Sequence, residues 1–157
     1  MLKIKNIFKF LIFVQIIILF SVYYIEYVMN VYACKLCKYQ RLPFYLNIVC
    51  LIFLILDKKR FYYFMYVLCI SIIINIGVAF YHVGIERKFF TESKVCIAKD
   101  NARNEKDLLN LLIDKNKNGC ADVKFRLFKL SLSELNLATN VVFLIICVHI
   151  IRNEKKK

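Results

Sequence analysis

The sequence predicts an all-α membrane protein, a four-helix transmembrane bundle with one long extracytoplasmic loop. Three observations support this fold class. The 157-residue chain is 61% hydrophobic, and its mean hydropathy of +0.58 is too high for a soluble protein of this length. Four stretches contain no charged residue. All but one of the connections between them are short, and the exception is long, charged and polar.

The charge-free stretches define the expected spans. They cover residues 10–25, 42–56, 61–85 and 135–151. A helix needs about 20 residues to cross the hydrocarbon core, so we expect one integral-membrane domain, 1–157, with four spans. The spans are expected at about 10–28, 42–56, 61–82 and 136–151, and the outer loops at about 29–41 and 83–135. The second stretch is only about 22 Å long, which draws Cys37 and Arg41 towards the lipid boundary.

The distribution of positive charge predicts the orientation. The chain ends and the turn at residues 57–60 carry ten Lys or Arg residues in short segments, which the positive-inside rule assigns to the cytoplasm. Eleven of the other fourteen lie in the long loop, where charge has little influence on translocation. Both termini are therefore expected in the cytoplasm, with the first and third connections on the opposite side.

The net charge of +13 does not indicate a nucleic-acid partner. Few Gly, Pro and Trp residues beside many Ile, Lys and Asn residues are typical of an AT-rich genome, which explains many of the lysines. No basic face with a nucleic-acid-binding motif accompanies them.

The seven cysteines divide into two groups. Three lie inside charge-free stretches, where cysteine usually packs as a small apolar side chain: Cys50, Cys69 and Cys147. Four lie in the loops expected on the outer face: Cys34, Cys37, Cys96 and Cys120. An even number of cysteines on that face predicts disulfides, because disulfides persist outside the cytoplasm.

Cys34 and Cys37 form a C-x-x-C motif directly before the second expected span. At this spacing a thiolate can be stabilised and an easily exchanged disulfide can form. Pro43 is expected near the first turn of the following helix, and Arg41 adds a fixed positive charge. Both features predict a thiolate at Cys37.

Three other interpretations of the motif are open: a structural disulfide, half of a zinc or copper site, and a lipoprotein cleavage site with Cys34 as the lipidated residue. We predict no metal, because the remaining loop cysteines are far apart in sequence and the chain has only 2 histidines. The lipoprotein interpretation is disfavoured by Tyr32, which is bulky where a small residue is needed.

The long loop contains two further features. Cys96 and Cys120 enclose a polar segment with no obvious core, where a disulfide would be exposed to attack by a thiolate. In the following segment, Val123–Leu135, apolar residues are interleaved with Lys, Arg and Ser. We expect an interfacial helix there, because a strand would have no sheet to join.

Four motifs together resemble one known family. They are CKLCKYQR at residues 34–41, YHVGIE at residues 81–86, the widely spaced Cys96 and Cys120, and the run from Phe125 to Ser133. With these motifs, the chain resembles the disulfide bond formation protein B family from about residue 10 to residue 150. Members of this family are bacterial inner-membrane thiol oxidases that depend on quinone.

The resemblance implies roles for the residues around the C-x-x-C motif. Cys34 and Cys37 correspond to the cysteine pair beside the quinone, with Cys37 as the thiolate that donates electrons to it. Arg41 corresponds to the arginine beside the quinone head, and His82 is placed near the quinone by analogy. Glu86 receives no role. The implied cofactor is ubiquinone or menaquinone.

The resemblance also implies a partner and a location. Cys96 corresponds to the loop cysteine that the partner attacks, and Cys120 to the one that relays to Cys34. The implied partner is a periplasmic thioredoxin-like thiol oxidase of the disulfide bond formation protein A type, beside the membrane lipid and its quinone pool. The protein is then a disulfide-generating protein-dithiol:quinone oxidoreductase of the bacterial inner membrane, with its cysteine pairs facing the periplasm.

Two other classes fit part of the pattern. A vitamin K epoxide reductase-like oxidoreductase is also a membrane bundle with a C-x-x-C motif, but that motif is expected near a later helix. A non-enzymatic scaffold or transporter with four spans would use its cysteines only to brace its loops.

Overall fold

The computed structural model describes residues 2–31, 33–57, 59–91, 120, 126–127 and 130–156. Within these residues the chain forms four long helices: α1 (Leu2–Tyr27), α2 (Lys35–Leu56), α3 (Phe61–Glu86) and α4 (Leu132–Lys155). All four are long and apolar enough to cross a membrane. The predicted four-helix membrane bundle is confirmed.

The second helix begins before the stretch that predicted it. α2 has 22 residues and includes both Cys37 and Arg41 in its first two turns. Pro43 was expected near the first turn, but it lies inside the helix. That expectation is wrong because the helix starts at Lys35, where the Cys34 side chain caps it.

The helices pack in chain order, α1 against α2, α2 against α3, and α3 against α4. Their shared core contains Phe8, Leu51, Met65, Leu68, Ile72 and Phe143. Cys50 and Cys147 belong to the same core and Cys69 packs against it, as their sequence context predicts. Large apolar side chains such as Phe10, Phe13 and Phe20 remain on the outside, as expected of a surface that faces lipid.

The segment before α4 differs from the prediction. Arg126–Leu127 (β1) pairs antiparallel with Leu130–Ser131 (β2), with Arg126 opposite Ser131 and Leu127 opposite Leu130. The expected interfacial helix is therefore wrong for these residues, because each strand pairs within the segment itself. Residues 123–125 lie outside the described residues.

A capping box starts α4. Ser131 Oγ accepts a hydrogen bond from the Glu134 amide at 3.1 Å, and the Ser131 amide donates to Glu134 Oε2 at 2.9 Å. Glu134 also forms an ion pair with Arg87, and Ser133 Oγ donates to Glu86 Oε2. These contacts tie the start of α4 to the end of α3, beside the cysteines.

Candidate redox site

The C-x-x-C motif forms the N-terminus of α2. Cys34 is the N-cap residue, with extended backbone angles of φ −64° and ψ 166°. Its Sγ accepts a hydrogen bond from the Cys37 amide at 3.3 Å. The spacing makes this possible, because the third residue of a helix has an amide without a partner in the helix.

The two sulfurs of the motif are close but not bonded. Cys34 Sγ and Cys37 Sγ are 3.2 Å apart, whereas a disulfide bond is about 2.05 Å long. Both residues are free thiols in this structure. The structure therefore shows the motif in its dithiol state.

His82 lies against both cysteines. It is buried near the end of α3, with Nε2 at 3.5 Å from Cys34 Sγ and Nδ1 at 4.0 Å from Cys37 Sγ. Glu86, one turn further along α3, places Oε1 at 3.5 Å from His82 Nε2. The residue that the resemblance placed near the quinone is thus in contact with the cysteine pair.

The loop cysteine Cys120 reaches the same place. The sulfurs of Cys120 and Cys34 and a ring nitrogen of His82 all lie within 4.8 Å of one another. Cys120 is buried against Leu36 and Ile85, and it is disulfide-bonded. Cys96 lies outside the described residues.

Distance alone would allow Cys34, His82 and Cys120 to hold a metal ion. The chemistry of the donors does not favour it, because Cys120 is disulfide-bonded and metals take cysteine as a free thiolate. Sulfurs this close together are instead suited to thiol–disulfide exchange, in which a thiolate approaches one sulfur of a disulfide.

The hydrogen bonds at the motif lower the pKa of Cys34 below its ordinary value of 9.0. The largest cause is the hydrogen bond with the Cys37 thiol, and His82 and the Cys37 amide add to it, while burial acts in the opposite direction. A backbone amide can only donate, so Cys34 is the acceptor at the helix N-terminus. The thiolate expected at Cys37 is therefore favoured at Cys34 in this dithiol state.

Arg41 faces α1. Its guanidinium forms an ion pair with Glu26 and lies over the ring of Tyr23, 4.8 Å from the centroid. Its charge is therefore shared with Glu26. Arg41 Nε is buried and has no hydrogen-bond partner among the described residues.

Several polar residues at the site were not predicted. Gln40 Nε2 lies 3.2 Å from His82 Nδ1, and Asn136 of α4 donates to Gln40 Oε1 at 2.9 Å. Gln40 lies inside the CKLCKYQR motif, and Glu86 lies four residues after His82 on the same helix face. Both positions are therefore recognisable in the sequence as neighbours of predicted site residues. Asn136 is uncharged and was not predicted, although polar side chains within apolar spans are often functional.

Comparison with known proteins identifies the family. The chain matches the family described as "Disulfide bond formation protein DsbB" over residues 5–150. The chain belongs to the DsbB family. It is also similar to an uncharacterized protein, RP370, of Rickettsia prowazekii (strain Madrid E), with 24% identity over 138 residues, which cover 86% of this chain and 80% of that protein.

Membership of the DsbB family establishes the general activity. DsbB proteins are membrane oxidoreductases of disulfide-bond formation, which use quinones and act with a thiol oxidase. The four helices that can cross a membrane agree with a multi-pass member. In this DsbB protein, Cys34, Cys37, His82 and Cys120 lie together at one end of α2 and α3, with Arg41 on the side of α1.

Proposed function

We propose that this DsbB-family protein reoxidises a periplasmic thioredoxin-like dithiol oxidase and passes the electrons through two cysteine pairs to a membrane quinone. The observation that carries the proposal is the distance of at most 4.8 Å between the sulfurs of Cys120 and Cys34. One cysteine from the long loop and one from the helix cap are thus near enough to exchange.

The proposed exchange begins at the loop pair, Cys96 and Cys120. A thiolate of the partner attacks Cys96 Sγ, which forms a mixed disulfide and releases Cys120 as a thiolate. Cys120 then attacks Cys34 Sγ of an oxidised Cys34–Cys37 pair, so a Cys120–Cys34 bond forms and Cys37 leaves as the thiolate. At this stage Cys37 is the free sulfur of the motif, whereas Cys34 is the favoured thiolate of the dithiol.

The remaining exchanges return the loop pair to its disulfide and leave Cys34 and Cys37 reduced. The second thiol of the partner attacks the mixed disulfide, so the partner leaves with its own disulfide and Cys96 is released as a thiolate. Cys96 then attacks Cys120 and displaces Cys34 from it. The partner has lost two electrons and two protons in total. This end state is supported by the disulfide bond of Cys120 and by the free thiols of Cys34 and Cys37.

A bound quinone, ubiquinone or menaquinone, supplies the acceptor for two electrons and two protons. Arg41 fits a group with carbonyl oxygens, because its buried Nε has no hydrogen-bond partner among the described residues and can donate to such an oxygen. Glu26 and Tyr23 orient the guanidinium, and His82 lies beside the cysteines, with Nε2 3.5 Å from Cys34 Sγ. Arg41 and His82 are therefore the residues that we assign to quinone binding.

The location follows from the chemistry and the charge pattern. We assign the protein to the bacterial inner membrane as one integral-membrane domain, with both termini in the cytoplasm. The cysteine pairs then face the periplasm, where a disulfide persists. The short, positively charged segments at the chain ends and at residues 57–60 support this orientation.

The test is a turnover assay with purified protein in detergent. The wild-type protein is given a reduced thioredoxin-like oxidase and a soluble ubiquinone analogue, and quinone reduction is followed by absorbance. We expect Cys37→Ser to reduce the rate to that of the reaction without protein, because Cys34 alone cannot form the disulfide that Cys120 attacks. Cys69→Ser makes the same change in a core cysteine and should retain turnover. Absence of turnover by the wild-type protein would contradict the proposal.

A further inference from the structure

Gln40 occupies a central position in the site that the proposed roles leave unexplained. Its side chain is buried, with only 6% of its surface exposed. One end of its amide lies 3.2 Å from His82 Nδ1 and the other accepts from Asn136 at 2.9 Å. Behind Asn136, the amides of Asn140 and Asn75 continue the same chain of hydrogen bonds into the bundle.

The donor and acceptor in each of these hydrogen bonds are fixed by one backbone carbonyl oxygen. Asn140 Nδ2 donates to the carbonyl oxygen of Asn136 at 2.8 Å, and a carbonyl oxygen can only accept. The same NH₂ group lies 2.7 Å from the side-chain amide of Asn136, so the atom there is Oδ1. The NH₂ of Asn136 is then left to donate to Gln40 Oε1.

The order of donors and acceptors in these hydrogen bonds determines which ring nitrogen of His82 carries the proton. Because Gln40 Oε1 already accepts from Asn136, the NH₂ of Gln40 faces His82 Nδ1. Nδ1 must therefore be an acceptor, and the neutral ring carries its proton on Nε2. Nε2 lies 3.5 Å from Cys34 Sγ and 3.5 Å from Glu86 Oε1. A proton on Nδ1 would place two donors, His82 Nδ1 and Gln40 Nε2, against each other.

We propose that Gln40 is a positioning residue that holds His82 as a neutral donor with its proton on Nε2, which faces the sulfur of Cys34 and the carboxylate of Glu86. The proposal rests on the proposed function, because Cys34 is the sulfur that exchanges with the loop pair. The titratable groups that face His82 are Cys34 and Cys37 from α2, Glu86 from α3, and the bonded Cys120. Gln40 differs from them because its side chain is uncharged and fixes the position of the His82 proton through a hydrogen bond.

The first test observes the proton directly. The chain has only 2 histidines, so His149→Gln leaves His82 as the only source of histidine signals in a ¹⁵N NMR spectrum of the reduced protein in detergent. We expect Nδ1 to give the signal of an unprotonated acceptor and Nε2 that of a protonated nitrogen at pH 8. A wild-type ring protonated on Nδ1 at this pH would overturn the proposal.

The second test removes the donor. Gln40→Met keeps the length of the side chain but cannot donate, so we expect part of the His82 population to carry a proton on Nδ1, either as the other tautomer or as the imidazolium. Gln15→Met is the matched control, since Gln15 is a buried glutamine of α1 that forms no hydrogen bond with His82 in the described part of the chain, and it should leave the His82 spectrum unchanged. An Nδ1 signal that is the same in Gln40→Met and in wild type would overturn the proposal.

Turnover provides a separate readout. If His82 gains access to a second proton, the ratio of Gln40→Met to wild-type turnover should change by about threefold or more between pH 6 and pH 8. A role of Gln40 in packing alone would lower turnover by the same factor at every pH, and this result would also overturn the proposal. The NMR test does not require turnover, so failure of the proposed function would be recognised separately.

Discussion

Cys34 is the residue in which the local structure most clearly determines reactivity. Its sulfur accepts a hydrogen bond from the Cys37 amide and lies 3.2 Å from the Cys37 sulfur and 3.5 Å from His82 Nε2. These contacts lower the pKa of Cys34, so the thiolate persists below the ordinary value of 9.0 and is lost only as the pH falls through the lowered value.

This shift predicts the pH dependence of alkylation. In the reduced protein, we expect the rate at which iodoacetamide modifies Cys34 to change little between pH 8 and pH 6, measured by mass spectrometry of the Cys34 peptide. A thiol of ordinary pKa would lose roughly a hundredfold in rate over the same range. The same peptide in protein unfolded in detergent is the control. A tenfold fall per pH unit in the folded protein would contradict the lowered pKa.

The C-x-x-C spacing and the family motifs led to Cys34, Cys37 and His82 as candidate site residues, because the chemistry of cysteine and histidine is visible in a sequence. These three side chains lie together in the structure, and their roles in the reaction stay a prediction. The partner of Arg41 was not predicted, since Glu26 lies on another helix and only the packing of α1 against α2 brings the two together. Gln40 was missed because its role depends on the direction of its amide.

At the level of the elements, the end of α3 explains the glycine in the YHVGIE motif. The amides of Phe89 and Phe90 both donate to the carbonyl oxygen of Gly84, at 2.8 Å and 3.1 Å, so the chain folds back over the helix end. The ring of Phe90 stacks on Tyr81, with 5.8 Å between centroids, and covers Gly84. A Cβ atom at Gly84 would lie only 2.1 Å from a ring carbon of Phe90.

Two glycines of the same helix therefore predict different results. Gly77→Ala meets no atom within 4 Å and should gain about 1 kcal/mol of helix propensity, which corresponds to about 2–4 °C in the midpoint of thermal unfolding in detergent. Gly84→Ala should gain less or lose stability, because the ring of Phe90 must move. In a Phe90→Ala background, both changes should have the same effect. A difference that persists in this background would contradict the assigned contact.

The elements were predicted well in number and less well at their ends. Apolar length identifies a spanning helix, but the first two turns of α2 contain Lys35, Lys38 and Arg41 and therefore lie outside the charge-free stretch. The start of α4 was displaced for a similar reason, because Glu134 marked the limit of the span although it belongs to the capping box. Charged residues at these helix ends cap or pair and do not end the helix.

At the level of the whole molecule, four spans require both chain ends to lie on one side of the membrane. In a variant whose 7 native cysteines are replaced by Ser, we expect a membrane-impermeant maleimide to label Arg87→Cys in intact bacterial cells and to label Lys155→Cys only after the cells are broken. Lys59→Cys, in the turn between α2 and α3, should behave as Lys155→Cys does. Equal labelling of Arg87→Cys and Lys155→Cys in intact cells would contradict the four-span topology.

The polar contacts between α3 and α4 have a consequence for how the protein assembles. A long connection joins these helices, so no tight turn sets their alignment. Asn75 Nδ2 donates to Asn140 Oδ1 at 3.2 Å inside the bundle, while Glu86 and Arg87 bind Ser133 and Glu134 at its end. Sliding one helix by a single turn, about 5.4 Å, would break all of these contacts and leave amides unpaired in an apolar interior. Only one register of the two helices therefore satisfies both ends of the interface, and it is the register that brings Asn136 to Gln40.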